Sequence, residues 1–250
     1  MKQLGSKSVY SVFRLLSLFA IDKDEIGIRE ASHKMDMLPG SLHRLFLSME
    51  AVGFLEKTPN RKYRLGERLF ELGALFPLHS PLRKVVRPHA EDLAQRFLLN
   101  ARLAIPSHLH PQYVITIDRI EKLDPPLVQR IALNVPVYCS GIGKAILAFS
   151  DPERQKLILQ NIQFARHTKN TITIMEKLKA EIAQIREKGY ALDRAENFEN
   201  LYFVAAPLFQ NQNLVGALSL SESPERMKKR NIPDLARVLM GRASFISRQL

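Results

Sequence analysis

Cysteine is almost missing from this 250-residue chain, which has only Cys139. A lone cysteine closes no intrachain disulfide and builds no thiolate metal cluster, so the disulfide-stapled secreted class is excluded and a reducing cytoplasm fits. No apolar run is long enough to span a bilayer, and no membrane partner is expected. The N-terminus comes nearest to a secretory leader, with Lys2 and Lys7 ahead of the apolar stretch from Val9 to Ile21. Arg14 interrupts that stretch and Ile21-Asp22-Lys23-Asp24 offers no small-residue cleavage site, so a folded helix of a cytoplasmic protein is expected there.

Acidic residues are short as well. Asp and Glu number 25 against 37 Lys and Arg, leaving a net charge of +12 that favours a polyanionic partner such as nucleic acid. The surplus is spread along the chain: residues 1–66 hold 11 basic and 7 acidic side chains, and residues 101–250 hold 21 and 14.

Signatures of bound cofactors are lacking too. Ser140-Gly-Ile-Gly143 precedes a lysine but is no phosphate-binding Walker loop, because Tyr138 stands where the first glycine belongs and Ala145 follows Lys144 where Ser or Thr is needed. His108 and His110 could share a strand face, yet no second ligand pair stands at a telling spacing, which favours a surface turn. Cys139 has no positioned histidine to make it a nucleophile. Asp193, Glu196 and Glu199 could form a catalytic carboxylate group, but a solvated acidic loop explains them with less. Neither a cofactor nor a catalytic residue is expected.

What is present is order. Val9, Val12, Phe13, Leu16, Phe19 and Ala20 recur at helical steps with Arg14 pointing away, and Ile28, Ala31 and Met35 repeat the step over a shorter stretch. Asp36-Met-Leu-Pro-Gly40 predicts a turn. Leu42, Leu45, Phe46, Met49 and Val52 then form a third apolar face, ended by Gly53. Two helices across a tight turn make a helix-turn-helix. Opposite the third apolar face stand Ser41, His43, Arg44, Leu47 and Ser48, the short hydrogen-bonding groups and guanidinium that a helix in the major groove presents. Two strand-like runs, 54–57 and 61–65, flank Thr58-Pro59-Asn60 and carry Lys57, Arg61, Lys62 and Arg64, a wing suited to backbone phosphates. A three-helix core piece with an ordinary charged hairpin is the bland alternative.

Leu65 to Phe76 continues as a helix that Pro77 and Ser80-Pro81 are expected to break. Beyond it, an amphipathic helix from Leu82 to Phe97, strands near 101–106, 113–120, 201–209 and 214–221, and helices near 142–149, 175–188 and from Pro233 onward suggest an antiparallel α+β sensor domain. Ser140-Gly141-Ile142-Gly143 before an apolar run could present amides at a helix start to an anionic ligand, which makes a carboxylate effector the natural guess. The glycines could equally permit a tight turn. Arg226, Lys228, Lys229 and Arg230 form a basic run that could add nucleic-acid contact or simply be a solvated loop.

These fragments resemble the IclR family of bacterial transcription regulators. Gly27-Ile-Arg-Glu-Ala-Ser, Ser41-Leu-His-Arg-Leu-Phe and Lys62-Tyr-Arg-Leu-Gly66-Glu-Arg-Leu-Phe-Glu-Leu-Gly73 are similar to its winged helix and the start of its linker helix. Pro136-Val-Tyr-Cys-Ser-Gly-Ile-Gly-Lys-Ala-Ile-Leu-Ala148, Gly189-Tyr-Ala-Leu-Asp193, Glu196 and Val204-Ala-Ala-Pro207 are similar to its effector domain.

The resemblance implies a winged helix-turn-helix over residues 1–66, a linker helix over 67–80 and a GAF-like antiparallel α+β effector domain over 81–250. It also implies dimers, often paired into tetramers, that bind palindromic double-stranded DNA operators and answer to a small metabolite. Carried over from it, Asp193, Phe203, Ser219 and Ser221 would line the pocket. Ser219 and Ser221, two apart on a strand, share one side, although they could be half-buried sheet residues and no more. Where relatives often have glycine and cysteine, this chain has Asn200 and Phe203, and His108-Leu-His-Pro111 replaces a more usual turn.

Three functions follow as candidates. The first is a regulator, more readily a repressor, whose operator affinity a small organic acid adjusts. The second is an enzyme docked by a basic domain, and the third a constitutive DNA-binding dimer.

Overall fold

The computed structural model describes residues 6–19, 24–108, 113–120 and 134–250. Lys2, the start of Ile21-Asp22-Lys23-Asp24 and His110 lie outside the described residues. Contacts divide the chain into two compact units, Met1–His79 and Ser80–Leu250.

In the first unit, helices α1 (Lys7–Leu16), α2 (Ile28–Met35) and α3 (Pro39–Ala51) precede a hairpin of β1 (Leu55–Lys57) and β2 (Tyr63–Leu65), and helix α4 (Glu67–His79) follows. Leu15, Ile26, Ala31, Met35, Leu42, Phe46, Met49, Leu55 and Tyr63 make the core. The Phe46 and Tyr63 rings sit 4.6 Å apart and tie α3 to the hairpin, and Ile26 exchanges both backbone hydrogen bonds with Tyr63.

Three expectations are corrected in this unit. On α1, Leu15 is the residue fully buried, with Val12, Leu16 and Phe19 packed around it, while Val9 and Phe13 are exposed. Phe13 stands about 200° around the helix from Leu15 and cannot share its face. Secondly, Pro39 and Gly40 open α3 rather than forming the turn, since a proline at the first helical position forfeits no hydrogen bond. The turn itself is made by Asp36 in the left-handed conformation, φ 52°. Thirdly, α4 runs through Pro77 to His79. The break falls at Ser80, whose Oγ accepts the Arg83 amide and so starts the next helix, with Pro81 as its first residue.

The second unit is built on one six-stranded antiparallel sheet in the order β5-β4-β3-β8-β7-β6. Its strands are β3 (Asn100–Pro106), β4 (Tyr113–Ile120), β5 (Asn134–Pro136), β6 (Ala191–Arg194), β7 (Tyr202–Gln210) and β8 (Asn213–Glu222). Helices α5 (Pro81–Phe97), α9 (Pro224–Met227) and α10 (Ile232–Ser247) cover one face, through a core that includes Leu93, Leu103, Val204, Leu218, Leu220 and Leu239. Helices α6 (Gly141–Phe149), α7 (Pro152–Asn161) and α8 (Met175–Lys188) cover the other, over Ala104, Ala191, Ala205 and Ala217. Strand alternation sends Leu218 and Leu220 to the first face and Ala217, Ser219 and Ser221 to the second.

Candidate functional site

The nucleic-acid side is simple. On α3, Leu42, Phe46 and Met49 point into the core, so helical spacing leaves Ser41, His43, Arg44, Leu47 and Ser48 together on the exposed side. Ser48 Oγ donates to the Arg44 carbonyl at 3.0 Å. Arg61 and Lys62 are exposed at the hairpin turn, where Arg61 takes a positive φ of 57°. Arg64 is exposed as well. It stands opposite Glu56 in the strand register, and its Nε and Nη2 donate to the Glu56 carboxylate at 3.0 and 2.7 Å. The pair is exposed on both sides, so the hairpin presents Lys57, Arg61, Lys62 and Arg64 to solvent, the last shared with Glu56.

On the second unit, register assembles two rows across the α6-facing side of the sheet. One runs Asn100, Ser221, Phe203, Asp193, and the other Arg102, Ser219, Ala205, Ala191. Neighbours in such rows have Cβ atoms about 5 Å apart. A sheet covered by helices on both faces ordinarily carries apolar side chains on both. Here Ser219 is 0% and Ser221 1% exposed, and neither hydroxyl has a hydrogen-bond partner among the described residues. A buried hydroxyl left in that condition costs about 1–3 kcal/mol.

Asp193 closes the first row. Its Oδ1 accepts the Glu196 amide at 2.7 Å, and its Oδ2 is buried with no partner among the described residues. Burial first, and the Glu196 charge second, push its carboxyl up to about 7, against smaller pulls from the Glu196 amide, Lys144 and the Gly141 amide. Glu196 is itself raised, by burial, although Lys144 opposes the shift. Lys144, fully buried on α6, places Nζ 2.6 Å from Glu196 and 3.1 Å from Glu181. The acids near Asp193 are therefore no solvated loop: only Glu199 of the three is exposed.

The helix start Ser140–Gly143 is engaged in part within the chain. Ser140 Oγ donates to the Pro136 carbonyl and accepts the Gly143 amide, so both of its roles are filled within the chain. Ile142 belongs to the apolar core. Gly141 and Gly143 are there for close approach. A Cβ on Gly141 would lie 3.1 Å from that of Phe203 and 3.3 Å from that of Asp193, and one on Gly143 would lie 2.7 Å from the Val137 Cα. Asp193 packs against this helix start.

Cys139 is buried beside the same acids, and burial chiefly, then Asp193 and Glu196, push its thiol up to about 12. Such a thiol is a poor nucleophile. Among the described residues no cluster of three or more His, Cys, Asp or Glu could hold a metal, and no helix is long and apolar enough to cross a membrane. The basic run near residue 226 is partly structural, since Arg226 and Arg230 both pair at 2.7 Å with the buried carboxylate of Glu222.

Sequence reasoning missed Arg102. It is 8% exposed, and its guanidinium carbon stands 5.1 Å from the centre of the Phe203 ring. The signal was available in the alternation Asn100, Arg102, Ala104 against Ala101, Leu103, Ile105, which sets polar groups on one face of a strand that sits inside the sheet.

A helix-turn-helix with an exposed polar recognition face, followed by an α+β unit with buried polar rows, defines a DNA-binding transcription regulator. Comparison with known proteins gives the particular family. Residues 78–248 match the family described as bacterial transcriptional regulator IclR C-terminal, and the chain belongs to the IclR family. It is 31% identical to the HTH-type transcriptional regulator KdgR of Escherichia coli (strain K12) over 248 residues, covering 97% of this chain and 92% of that protein. It is 29% identical to the HTH-type transcriptional regulator XynR of the same organism over 247 residues, 98% of this chain and 97% of that one. Among solved structures, an IclR homologue from Microbacterium hydrocarbonoxydans complexed with 4-hydroxybenzoate superposes with a TM-score of 0.77 at 25% identity, covering 98% of this chain and 99% of that one.

Proposed function

We propose that this regulator is a cytoplasmic repressor that binds a palindromic operator through α3 and the hairpin, and that a small organic acid bound on the α6-facing side of the sheet adjusts its affinity. Ser41, His43, Arg44 and Ser48 read base edges, and Arg61 and Lys62 hold phosphates. The observation that carries the effector half is the pair of buried, unpartnered hydroxyls of Ser219 and Ser221 beside Asp193. Groups so placed lose free energy in the isolated chain and recover it on meeting a polar molecule. Phe203, in the same row, supplies an apolar wall. The aromatic acid held by the Microbacterium homologue is of the size and class expected. Regulation here is by binding, and Cys139, its thiol pushed up to about 12 by burial, is no nucleophile.

The working form is a homodimer or a pair of dimers. One helix-turn-helix reaches few base pairs, and two-fold assembly doubles the set. Leu72 and Phe76 of α4 are exposed and with Leu69 fall within about 60° of one another around the helix, forming the surface a second copy covers, while Phe70, 80% exposed, stands on another side. Sedimentation at micromolar concentration should show at least a dimer; a monomer with full operator affinity would contradict it.

A gel shift with duplexes from the region upstream of its own gene tests the whole. Purified protein should retard one of them at moderate salt, and one of a set of small carboxylic acids should change that retardation. Binding indifferent to every acid would leave the constitutive dimer as the better account.

A further inference from the structure

We propose that Leu47 is a base-reading residue, meeting the C5-methyl group of a thymine that stands within about two base pairs of the guanine read by Arg44. The proposal rests on the reading of α3 as the recognition helix.

Buried Leu42, Phe46 and Met49 fix the inward side of α3. At about 100° per residue, the residues nearest the opposite side are Gly40, Arg44, Leu47 and Ala51. All four are exposed, Leu47 by 45%. Ser41, His43 and Ser48 stand about 60–80° to either side of that line. Ser48 also donates its hydroxyl proton to the Arg44 carbonyl at 3.0 Å, so it can meet a base only as an acceptor. Of the four central residues, only Arg44 carries a polar side chain. A Cβ on Gly40 would meet nothing within 4 Å, so no other part of the described chain overhangs that end of the face. The surface that enters the groove deepest is therefore one guanidinium beside an apolar patch.

A single exposed leucine is ordinary on a protein surface, but the place beside Arg44 gives this one a partner. Arginine pairs bidentately with guanine O6 and N7, and the thymine C5-methyl is the apolar group that the major groove displays. Leucine offers neither donor nor acceptor. A guanine or cytosine edge set against it would give up hydrogen bonds to water and gain none, whereas a thymine methyl gains an apolar contact. Side chains three apart on a helix have Cβ atoms about 5–6 Å apart, and successive bases of one strand lie about 3.4 Å apart along the duplex axis. That spacing sets the thymine about one or two base pairs from the guanine.

The test begins with selection from a random duplex pool by the full chain. Duplexes chosen by the wild type should carry in each half-site a guanine with a thymine about one or two base pairs away. Those chosen by Leu47→Ala should keep the guanine and lose the preference for thymine. Fluorescence anisotropy then uses the selected operator with single thymines replaced by uracil, which removes the methyl and keeps every hydrogen-bonding group. One such replacement should weaken wild-type binding about fourfold, the worth of one buried methyl. Leu47→Ala, weaker on the intact operator, should be indifferent to it, and Leu47→Met, still apolar, should keep part of the response. Circular dichroism melting of both variants should match the wild type, as suits an exposed side chain. If no uracil replacement weakens the wild type, or Leu47→Ala answers to uracil as the wild type does, Leu47 reads no methyl. If Arg44→Ala and Leu47→Ala both select the sequences that the wild type selects, or the wild type enriches none, α3 is not the recognition helix and the reading beneath this proposal fails with it.

Discussion

The two units handle polar groups in opposite ways. The N-terminal unit turns them outward: α3 buries Leu42, Phe46 and Met49 and holds Ser41, His43, Arg44 and Ser48 in solvent. The C-terminal unit turns them inward, with Ser219, Ser221, Asp193 and Lys144 all buried beneath or within α6. Outward groups, solvated already, cost the fold almost nothing. Inward groups cost stability wherever a partner is missing. Removing a functional side chain should therefore change binding alone in the first unit, and binding together with stability in the second.

The sharpest break of that contrast is Lys144→Ala. It strips the counter-charge from Glu196 and Glu181, and leaving a buried charge unpaired costs about 3–5 kcal/mol. Denaturant unfolding should show a loss of that order. A loss no larger than a surface substitution gives would mean that the acids simply protonate and that the buried pair holds nothing together.

Ser219→Ala moves the other way. Deleting a buried hydroxyl that has no partner should raise the stability of the ligand-free protein by up to about 1–3 kcal/mol while abolishing its response to the effector. Destabilisation would show that the hydroxyl is satisfied in solution.

A smaller effect comes from Asp193. Its carboxyl is raised to about 7 in the folded chain, so between the ordinary carboxylate range and pH 7 the native state keeps a proton that the unfolded state has released. Stability from this group is full at low pH, falls as pH rises through that window and is level above it. Glu196, also raised, acts in the same direction. Melting midpoints from pH 5 to 8 should fall less steeply in Asp193→Asn than in the wild type, and parallel curves would contradict the shift.

The same contrast explains what could be read from sequence. Helical period separates a core face from a solvent face, so α2, α3 and the exposed set around Arg44 were legible, and Asp193, Phe203, Ser219 and Ser221 came with the family resemblance. Buried polar groups defeat periodicity. Arg102 on β3 resembles any charged strand residue until helices are known to cover both faces, and Lys144 resembles the lysine of a failed phosphate loop until Glu181 and Glu196, distant in sequence, are found around it. Gly141 and Gly143 stand at a close approach of backbone and strand, which in sequence is indistinguishable from an anion cradle. Pro77 misled locally, because the chain tolerates it near a helix end and breaks only where Ser80 can cap the next helix.

The central claim, that α3 reads bases while the hairpin holds phosphates, is tested most directly by fluorescence anisotropy of wild type, Arg44→Ala and Lys62→Ala on the operator and on a shuffled duplex. Arg44→Ala should lose about 1–3 kcal/mol on the operator and nothing on the shuffled sequence, since a guanidinium reads base edges bidentately. Lys62→Ala should weaken both alike and lower the salt slope by about one. Equal losses on both duplexes for Arg44→Ala would contradict the account and reduce that side chain to a phosphate contact.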